Sequence, residues 1–267
     1  MDRKINRICL FSNHNEKAKS IEEEVKRQLE EKGFSVVDKE YDMGLAIGGD
    51  GSFLRMVKQT GFLSHLYYAG INAGTLGFLQ EIKIEEIADF VEKLKYNKFK
   101  VDEVSIQETK VIAKNDSITY CSLNEFVVRD KYLNTTNLKV YVNDELLERF
   151  VGDGILISTS TGSTAYNLSF GGSIVYASLH TLQITPIAPL NNKSYRNLLN
   201  SVIVPENAKI TLVPEKEKKD LLISVDGENE ECNEVEKIEI TVRNKKIKCL
   251  RMYDYDFTKI IQEKFLK

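Results

Sequence analysis

The chain has 267 residues, 42% hydrophobic and 29% charged, with 37 Lys and Arg against 40 Asp and Glu and a formal net charge of −3. That length suits one large domain or two smaller ones, and the composition is that of an ordinary globular protein. The acidic balance argues against a general nucleic-acid binder, so no nucleic-acid partner is expected.

The first third alternates. "INRICLF" (5–11) reads as a buried strand. Residues 16–33 read as a helix, with Ala18, Ile21, Val25 and Leu29 on one face and Gly33 as the stop. "FSVV" (34–37) and "GLAI" (44–47) read as two further strands, and a helix is expected over 52–60 after a glycine turn. "YYAGI" (67–71) predicts a strand, and 83–99 a helix with Ile84, Ile87, Val91 and Leu94 in register. Strands alternating with helices predict an open α/β domain with a mostly parallel sheet.

From about Val101 the pattern becomes β-rich. "SIQETKVIAK" and "SITYCSLNEFVVRD" flank Asn115-Asp116, and "NLKVYV" and "ELLERFV" flank Asn143-Asp144, both good hairpin turns. "SVIVP", "AKITLVP", "LLISVDG", "KIEITVR" and "KKIKCLRM" read as more strands. The charge run "PEKEKKD" (214–220) reads as a solvated loop, and the tail "DYDFTKIIQEKFLK" as a helix. The expected division is an α/β domain over 1–100 and a β-rich domain over 101–251, with a C-terminal helix in 252–267 packing back on the first.

Four scattered cysteines (Cys9, Cys121, Cys232, Cys249) without a CxxC pair point to reduced thiols in a cytoplasmic protein. His14, His65 and His180 are far apart and suggest neither a metal site nor a catalytic triad. The N-terminal apolar run is too short for a signal peptide, and no run of roughly 18 apolar residues occurs, so no membrane partner is expected.

Four stretches carry chemistry. "GGDGS" (48–52) puts Asp50 among glycines just after a buried strand. In an open α/β sheet, ligands bind beyond the carboxyl ends of the strands. Glycines bring backbone N–H groups close to a ligand, and the following helix start favours anions. Gly48, Gly49, Gly51 and Ser52 thus suit a phosphate, whereas the Asp50 carboxylate repels one. A metal ion reconciles the two, or Asp50 acts on a hydroxyl. A capped tight turn is the plain alternative.

"NAGTLGFL" (72–79) is a second glycine turn at a strand end, where Asn72 can read a polar edge. "SLNEFVV" (122–128) holds two adjacent polar residues in an apolar strand. Asn124 can read an adenine edge, and the Glu125 carboxylate can accept two ribose hydroxyls. "GDGILISTSTGSTAYNLSFGGSI" (152–174) leads from a strand into a Ser/Thr/Gly run and a helix start, whose N–H and hydroxyl groups are expected to face a cleft. "SVDGE" (224–228) reads by default as a type I′ hairpin. Neither GxGxxG nor GxxxxGK[ST] is present.

In this order these stretches resemble the NAD kinase family, with weaker support from "TPIAPL" (185–190) and "SVDGE". A GGDG turn alone is shared with diacylglycerol and sphingosine kinases, whereas TGSTAY with an upstream NE pair is more specific. The resemblance implies two domains with NAD between them, a homodimer or homotetramer whose interface is built by the second domain, and a tail returning to the first. It implies transfer of the terminal phosphoryl of ATP, or another donor, to the 2′-hydroxyl of the adenosine ribose of NAD, with a divalent cation such as Mg²⁺.

By position, Asp50 is then the catalytic residue, and Gly51 and Arg55 lie near NAD or donor phosphates. Asn124 and Glu125 take polar edges of NAD, and Asp153 faces its nicotinamide end. Thr164, Ala165, Tyr166, Asn167, Leu168 and Ser169 line the NAD site. Ala188 reaches a neighbouring subunit's NAD, with Tyr195 close to it. The chain departs from the family pattern at Ser52 (usually Thr), Ser160 and Ser173 (often Pro), Val151 (often basic), Glu228 (often Gln) and Leu190 (often His). Rival readings are a lipid kinase with the same turn, which needs an acyl groove, and a silent dinucleotide sensor. A third, an NAD-dependent oxidoreductase, is weakened by the missing GxGxxG.

Overall fold

The computed structural model describes residues 4–12, 16–74, 77–215, 220–253 and 255–267. His14, the Thr75-Leu76 pair of the second glycine run, residues 216–219 of the charge run and Asp254 of the tail lie outside the described residues. The chain divides into two compact units, Met1–Val104 with Lys246–Lys267, and Ser105–Lys245.

The first unit is built on a seven-stranded sheet. Its elements are β1 (Arg7–Ser12), α1 (Glu16–Glu31), β2 (Ser35–Val36), β3 (Met43–Gly48), α2 (Asp50–Gln59), β4 (Tyr67–Asn72), β5 (Ile82–Lys83), α3 (Ile87–Lys95) and β6 (Lys100–Val104). β2, β1, β3 and β4 run parallel in that order. β3 and β4 are buried along their whole length, as expected of parallel strands covered on both faces. Leu45, Ile47, Ala69 and Ile71 share a core with Val25 and Leu29 of α1 and with Phe90 and Leu94 of α3. On the other face Gly44 meets Met56 of α2, and Phe53 of α2 lies against Tyr68. Successive strand residues point to opposite faces, which is why one short sheet serves helices on both sides.

Two strands depart from the expected boundaries of 1–100 and 101–251. β6 and the strand Ile247–Arg251 pair antiparallel with each other, and Ile247–Arg251 also pairs parallel with β4. Both therefore belong to the first sheet. Their local pattern marks them as strands, but nothing local says which sheet a strand joins. After Ile247–Arg251 the chain forms a helical segment, Phe257–Ile261, that widens over Gln262–Leu266.

The second unit contains two six-stranded sheets. The first holds β7 (Gln107–Ala113), β8 (Ser117–Ser122), β10 (Thr136–Val142), β11 (Glu145–Gly152), β15 (Ile210–Pro214) and β18 (Val235–Val242). The second holds β9 (Glu125–Asp130), β12 (Gly154–Thr159), β13 (Thr181–Ile187), β14 (Val202–Pro205), β16 (Leu221–Val225) and β17 (Glu228–Cys232). Every pairing within the two is antiparallel. One apolar core joins them: Phe126, Val128, Ile155, Ile157 and Ile223 from one sheet meet Leu138, Val140, Phe150, Leu212 and Ile240 from the other. Both hairpin turns foreseen at Asn143-Asp144 and Asp226-Gly227 form, with positive φ at all four residues as type I′ requires.

The stretch 117–130 is not the single strand its apolar pattern suggests. It ends β8 at Ser122 and restarts as β9 at Glu125 in the other sheet. The NE pair thus sits at a sheet-to-sheet crossing, with Asn124 between the strands and Glu125 opening β9.

Candidate active site

Asp50 opens α2 directly after β3, with Gly49 extended at φ −116° and ψ −178°. Asp50 is not the helix cap that the plain reading of this turn suggests, because Gly49 holds the cap position and Asp50 is the first residue of the helix. Its carboxylate instead accepts the backbone N–H of Phe78 on Oδ2 and that of Leu79 on Oδ1, both at 3.0 Å. The two glycine turns are therefore one structure, the second holding the acidic side chain of the first. Gly77 explains its own identity here, since a Cβ on it would stand 2.1 Å from Asp50 Oδ1. A side chain on Gly49 or Gly51 would meet nothing within 4 Å, so the turn is open above the start of α2.

Ser52 and Arg55 line a cleft of about 420 Å³ with Ser12, Lys19, Glu22 and Gln59, so both face the same space in this unit. Gly48 ends β3 in register with Asn72 at the end of β4. Asn72 is buried, and its amide serves the loop it begins: Oδ1 accepts the Gly74 N–H at 2.8 Å, and Nδ2 donates to the Gln80 carbonyl at 3.4 Å.

In the second unit, the hairpin aspartate Asp226 reaches across to the NE segment. Its carboxylate accepts the backbone N–H groups of Leu123 (2.9 Å), Asn124 (2.8 Å) and Glu125 (3.2 Å). These are the donors released where β8 stops and β9 begins, and a buried donor left unpaired is costly. Glu125 is 5% exposed, and its Oε2 has no hydrogen-bond partner. Burial, and the charge of Asp226 beside it, push its carboxyl up to about 8, against the backbone N–H donated by Tyr166.

The Ser/Thr run folds onto the same end of β12, where Ser158 pairs with Glu125. The expectation that its hydroxyls face a cleft is corrected in detail. Thr159 Oγ1 donates to the Leu123 carbonyl and accepts the Gly162 N–H. Ser160 bonds Thr181, and Ser163 bonds Val175 twice. These hydroxyls knit the loop to its neighbours. Gly162 is needed because a Cβ there would lie 2.0 Å from the Asn124 carbonyl oxygen.

Asn167 is fully buried and holds the Ser163 carbonyl and the Thr185 hydroxyl. The helix it belongs to is a single turn, α4 (Tyr166–Ser169). Thr164, Ala165 and Leu168 are half-buried, whereas Tyr166 and Ser169 are exposed. Tyr166 accepts from Arg129 and packs its ring on Phe170 at 4.7 Å. Phe170 packs in turn on Val127, Leu156 and Ile187, so the loop runs back over the outer face of this sheet.

Asp153 and Ala188 lie at the opposite end of β12. Both are exposed, one residue beyond the Gly154–Ile187 pair. Ala188 carries a φ of +43°. The four-residue rise between Gly154 and Ser158 separates the two ends by roughly 13 Å.

Residues 2–99 match the model of the ATP-NAD kinase N-terminal domain, and residues 123–252 that of the ATP-NAD kinase C-terminal domain. The chain belongs to the ATP-NAD kinase family. It is 39% identical to an NAD kinase of Finegoldia magna over 97% of both chains, and 33% identical to NAD kinase 2 of Bacillus subtilis over 94% of this chain and 93% of that one. Among solved structures, yeast NADH kinase complexed with NADH superposes with a TM-score of 0.86 at 22% identity, covering 99% of this chain and 88% of the yeast chain. An Archaeoglobus fulgidus NAD kinase in complex with ATP gives 0.75 at 21% identity, covering 96% and 99%. At those identities the likeness is one of fold. Family membership makes the chain a phosphotransferase with an alcohol group as acceptor.

Three residues that hold the candidate side chains and segments within their own units were not singled out from the sequence for that role. Asp226 was visible as half of a hairpin turn and within "SVDGE", a weak part of the resemblance, with no sign that it held the NE segment. Gly77 was visible as a turn glycine, with no sign that it cleared room for Asp50. Lys264 lies 3.3 Å from Asp50 Oδ2 and belongs to a tail that has no local chemical signal.

Proposed function

We propose that the chain moves the terminal phosphoryl of ATP to the 2′-hydroxyl of the adenosine ribose of NAD, giving ADP and NADP, with Asp50 as general base. The observation that carries this reading is the Asp50 carboxylate, anchored by two amides at the mouth of an open glycine turn. The ribose oxygen attacks the terminal phosphorus, the bond to the ADP oxygen breaks, and the hydroxyl proton passes to Asp50. A carboxylate is a far weaker base than the alkoxide it would generate, so the proton moves late, as the O–P bond forms.

Gly48, Gly49, Gly51 and Ser52 take the donor phosphates, with Arg55 beside them. The open space at Gly49 and Gly51 supports this assignment. Asn124 and Glu125 take polar edges of NAD, and the unpartnered Oε2 of Glu125 supports it as a ligand-facing group. Thr164, Ala165, Tyr166, Leu168 and Ser169 line the NAD site, while Asn167 shapes it from within. Asp153 serves the nicotinamide end, and Ala188 faces a neighbouring subunit.

The residues do not make a cage for a resident cation: among the described residues, no group of three or more His, Cys, Asp or Glu is placed to hold one. Mg²⁺ is therefore assigned to the donor, since it binds largely through substrate phosphates and water. No step above runs through it. A homodimer or homotetramer built through the second unit is supported by exposed Leu198, Leu199 and Ile203 near the edge strand β14. Four cysteines outside any disulfide support the cytoplasm as its place. Among the described residues, no helix is long and apolar enough to cross a membrane.

The test is NADP formation from NAD, ATP and Mg²⁺, read by an NADP-specific dehydrogenase, with polyphosphate and NADH as parallel arms. Asp50→Asn is expected to keep NAD binding by calorimetry and to lose turnover by about a hundredfold or more. Near-normal turnover in that variant removes Asp50 from the chemistry. A wild-type chain that binds NAD but makes no NADP with any donor favours the silent sensor.

A further inference from the structure

A carboxylate in a phosphate-binding turn is an electrostatic contradiction. Asp50 brings a negative charge to the place proposed for a triphosphate. The structure supplies a neutralising partner from the far end of the chain. Lys264 Nζ lies 3.3 Å from Asp50 Oδ2, with both side chains about 30% exposed (30% and 28%). The same ammonium stands 4.6 Å above the Phe78 ring.

That position is built. Phe78 packs on Phe257 at 5.5 Å and on Phe265 at 5.8 Å, so two aromatic rings of the tail clasp the residue whose N–H holds Asp50. Asp256 starts the tail helix by accepting the N–H of Thr258 at 2.8 Å and of Lys259 at 3.4 Å. An ammonium held over an aromatic face beside a carboxylate loses less freedom on pairing than a lysine on an open surface.

We propose that Lys264 is a positioning and charge-balancing residue for Asp50, making the glycine turn electrically acceptable to the donor's phosphates. With Lys264 in place, the carboxylate and ammonium present no net charge to the polyanion. Without it, the donor meets an uncompensated negative charge. Each Asp50 oxygen accepts one amide N–H, Oδ2 also faces the ammonium, and lone pairs remain for the acceptor hydroxyl. The proposal rests on the reading of this turn as the donor site, and a binding measurement separates the two.

The experiment is a double-mutant cycle on the affinity for Mg²⁺ and AMP-PNP, with kcat and KM for ATP and NAD measured alongside. Lys264→Met is expected to weaken AMP-PNP by about tenfold and to lower kcat/KM for ATP to match, while moving the KM for NAD by less than about threefold. Lys264→Arg keeps the charge and is expected to stay near wild type. Asp50→Asn/Lys264→Met removes both charges and is expected to bind AMP-PNP as the wild type does. That recovery separates charge balance from lost packing on Phe78, which the double variant also lacks. The proposal is overturned if Lys264→Met binds and turns over normally, if the double variant stays as weak as Lys264→Met, or if Lys264→Arg is equally impaired. A wild type that makes no NADP sinks the kinase reading, while the binding cycle still decides the role of Lys264. A wild type that makes NADP with a flat cycle sinks the lysine alone.

Discussion

Gly77→Ala is the sharpest test of how Asp50 is held. The added methyl would stand 2.1 Å from Oδ1, 2.8 Å from Cγ and 3.2 Å from Oδ2, where ordinary contact begins at 3.4 Å. Either the carboxylate or the 77–79 backbone must move by more than 1 Å, because the shortfall at Oδ1 is 3.4 − 2.1 = 1.3 Å. Moving either one breaks or stretches the bonds from Phe78 and Leu79, each worth about 1.5–3 kcal/mol to a charged acceptor. A misplacement of about 1 Å at a reacting group costs about a hundredfold in rate. The expected result is a fall in kcat of that order, with NAD affinity nearly unchanged and the three sheets intact by circular dichroism. Alanine changes no charge and Gly77 does not have a positive φ, so sterics are the whole perturbation. Turnover within about threefold of wild type would refute the claim that the second turn holds the catalytic carboxylate.

Asp226→Asn keeps the size of the side chain but leaves one acceptor oxygen for three amides, and its NH₂ faces at least one of them. Urea unfolding is expected to show a loss of about 2–4 kcal/mol, with NAD affinity falling too; a loss below about 0.5 kcal/mol would show that the crossing does not need the aspartate. Glu125 predicts a pH dependence. Its carboxyl is raised from 4.5 to about 8 in the folded protein, so the native state binds the extra proton and stability is fully present below pH 4.5. It is lost as pH rises toward 8, at up to about 1.4 kcal/mol per pH unit. Glu125→Gln does not titrate, so its stability relative to wild type should climb between pH 6 and 8 and level off above; a constant difference across that range would remove the burial argument.

Much of the first unit was legible because its signals are local. Ile21, Val25 and Leu29 mark a helix face, and "GLAI" and "YYAGI" mark strands buried on both sides. The glycine runs announce turns at strand ends. What escaped depends on distant partners. Asp50 looked like a cap because capping is the local use of an aspartate at a helix start, and only the fold brings the Phe78 and Leu79 amides to it. The stretch 117–130 reads as one strand because both halves alternate correctly. The break at Leu123-Asn124 is stabilised by Asp226, a hundred residues on. The hydroxyls of Thr159, Ser160 and Ser163 looked like ligand donors because composition does not tell a hydroxyl facing a cleft from one closing a loop. The strand Ile247–Arg251 was recognisable as a strand but not as a member of the first sheet.

The two carboxylates singled out from the sequence have opposite environments, and the difference fits different work. Asp50 is given two amides and an ammonium, so its carboxylate is anchored and aimed. Glu125 is given the reverse: one backbone N–H, burial and a charged neighbour. Asp226 takes the three amides at the crossing, and its place beside Glu125 helps push that carboxyl up. A protonated Glu125 offers one O–H donor and retains acceptor capacity, suiting a ligand edge that carries both donor and acceptor groups. Ribose hydroxyls and amide edges are of that kind. An ionised carboxylate at this position would accept only and would cost more to bury. On the proposed reading, Asp50 takes a proton from a substrate, and Glu125 holds a proton while it binds one.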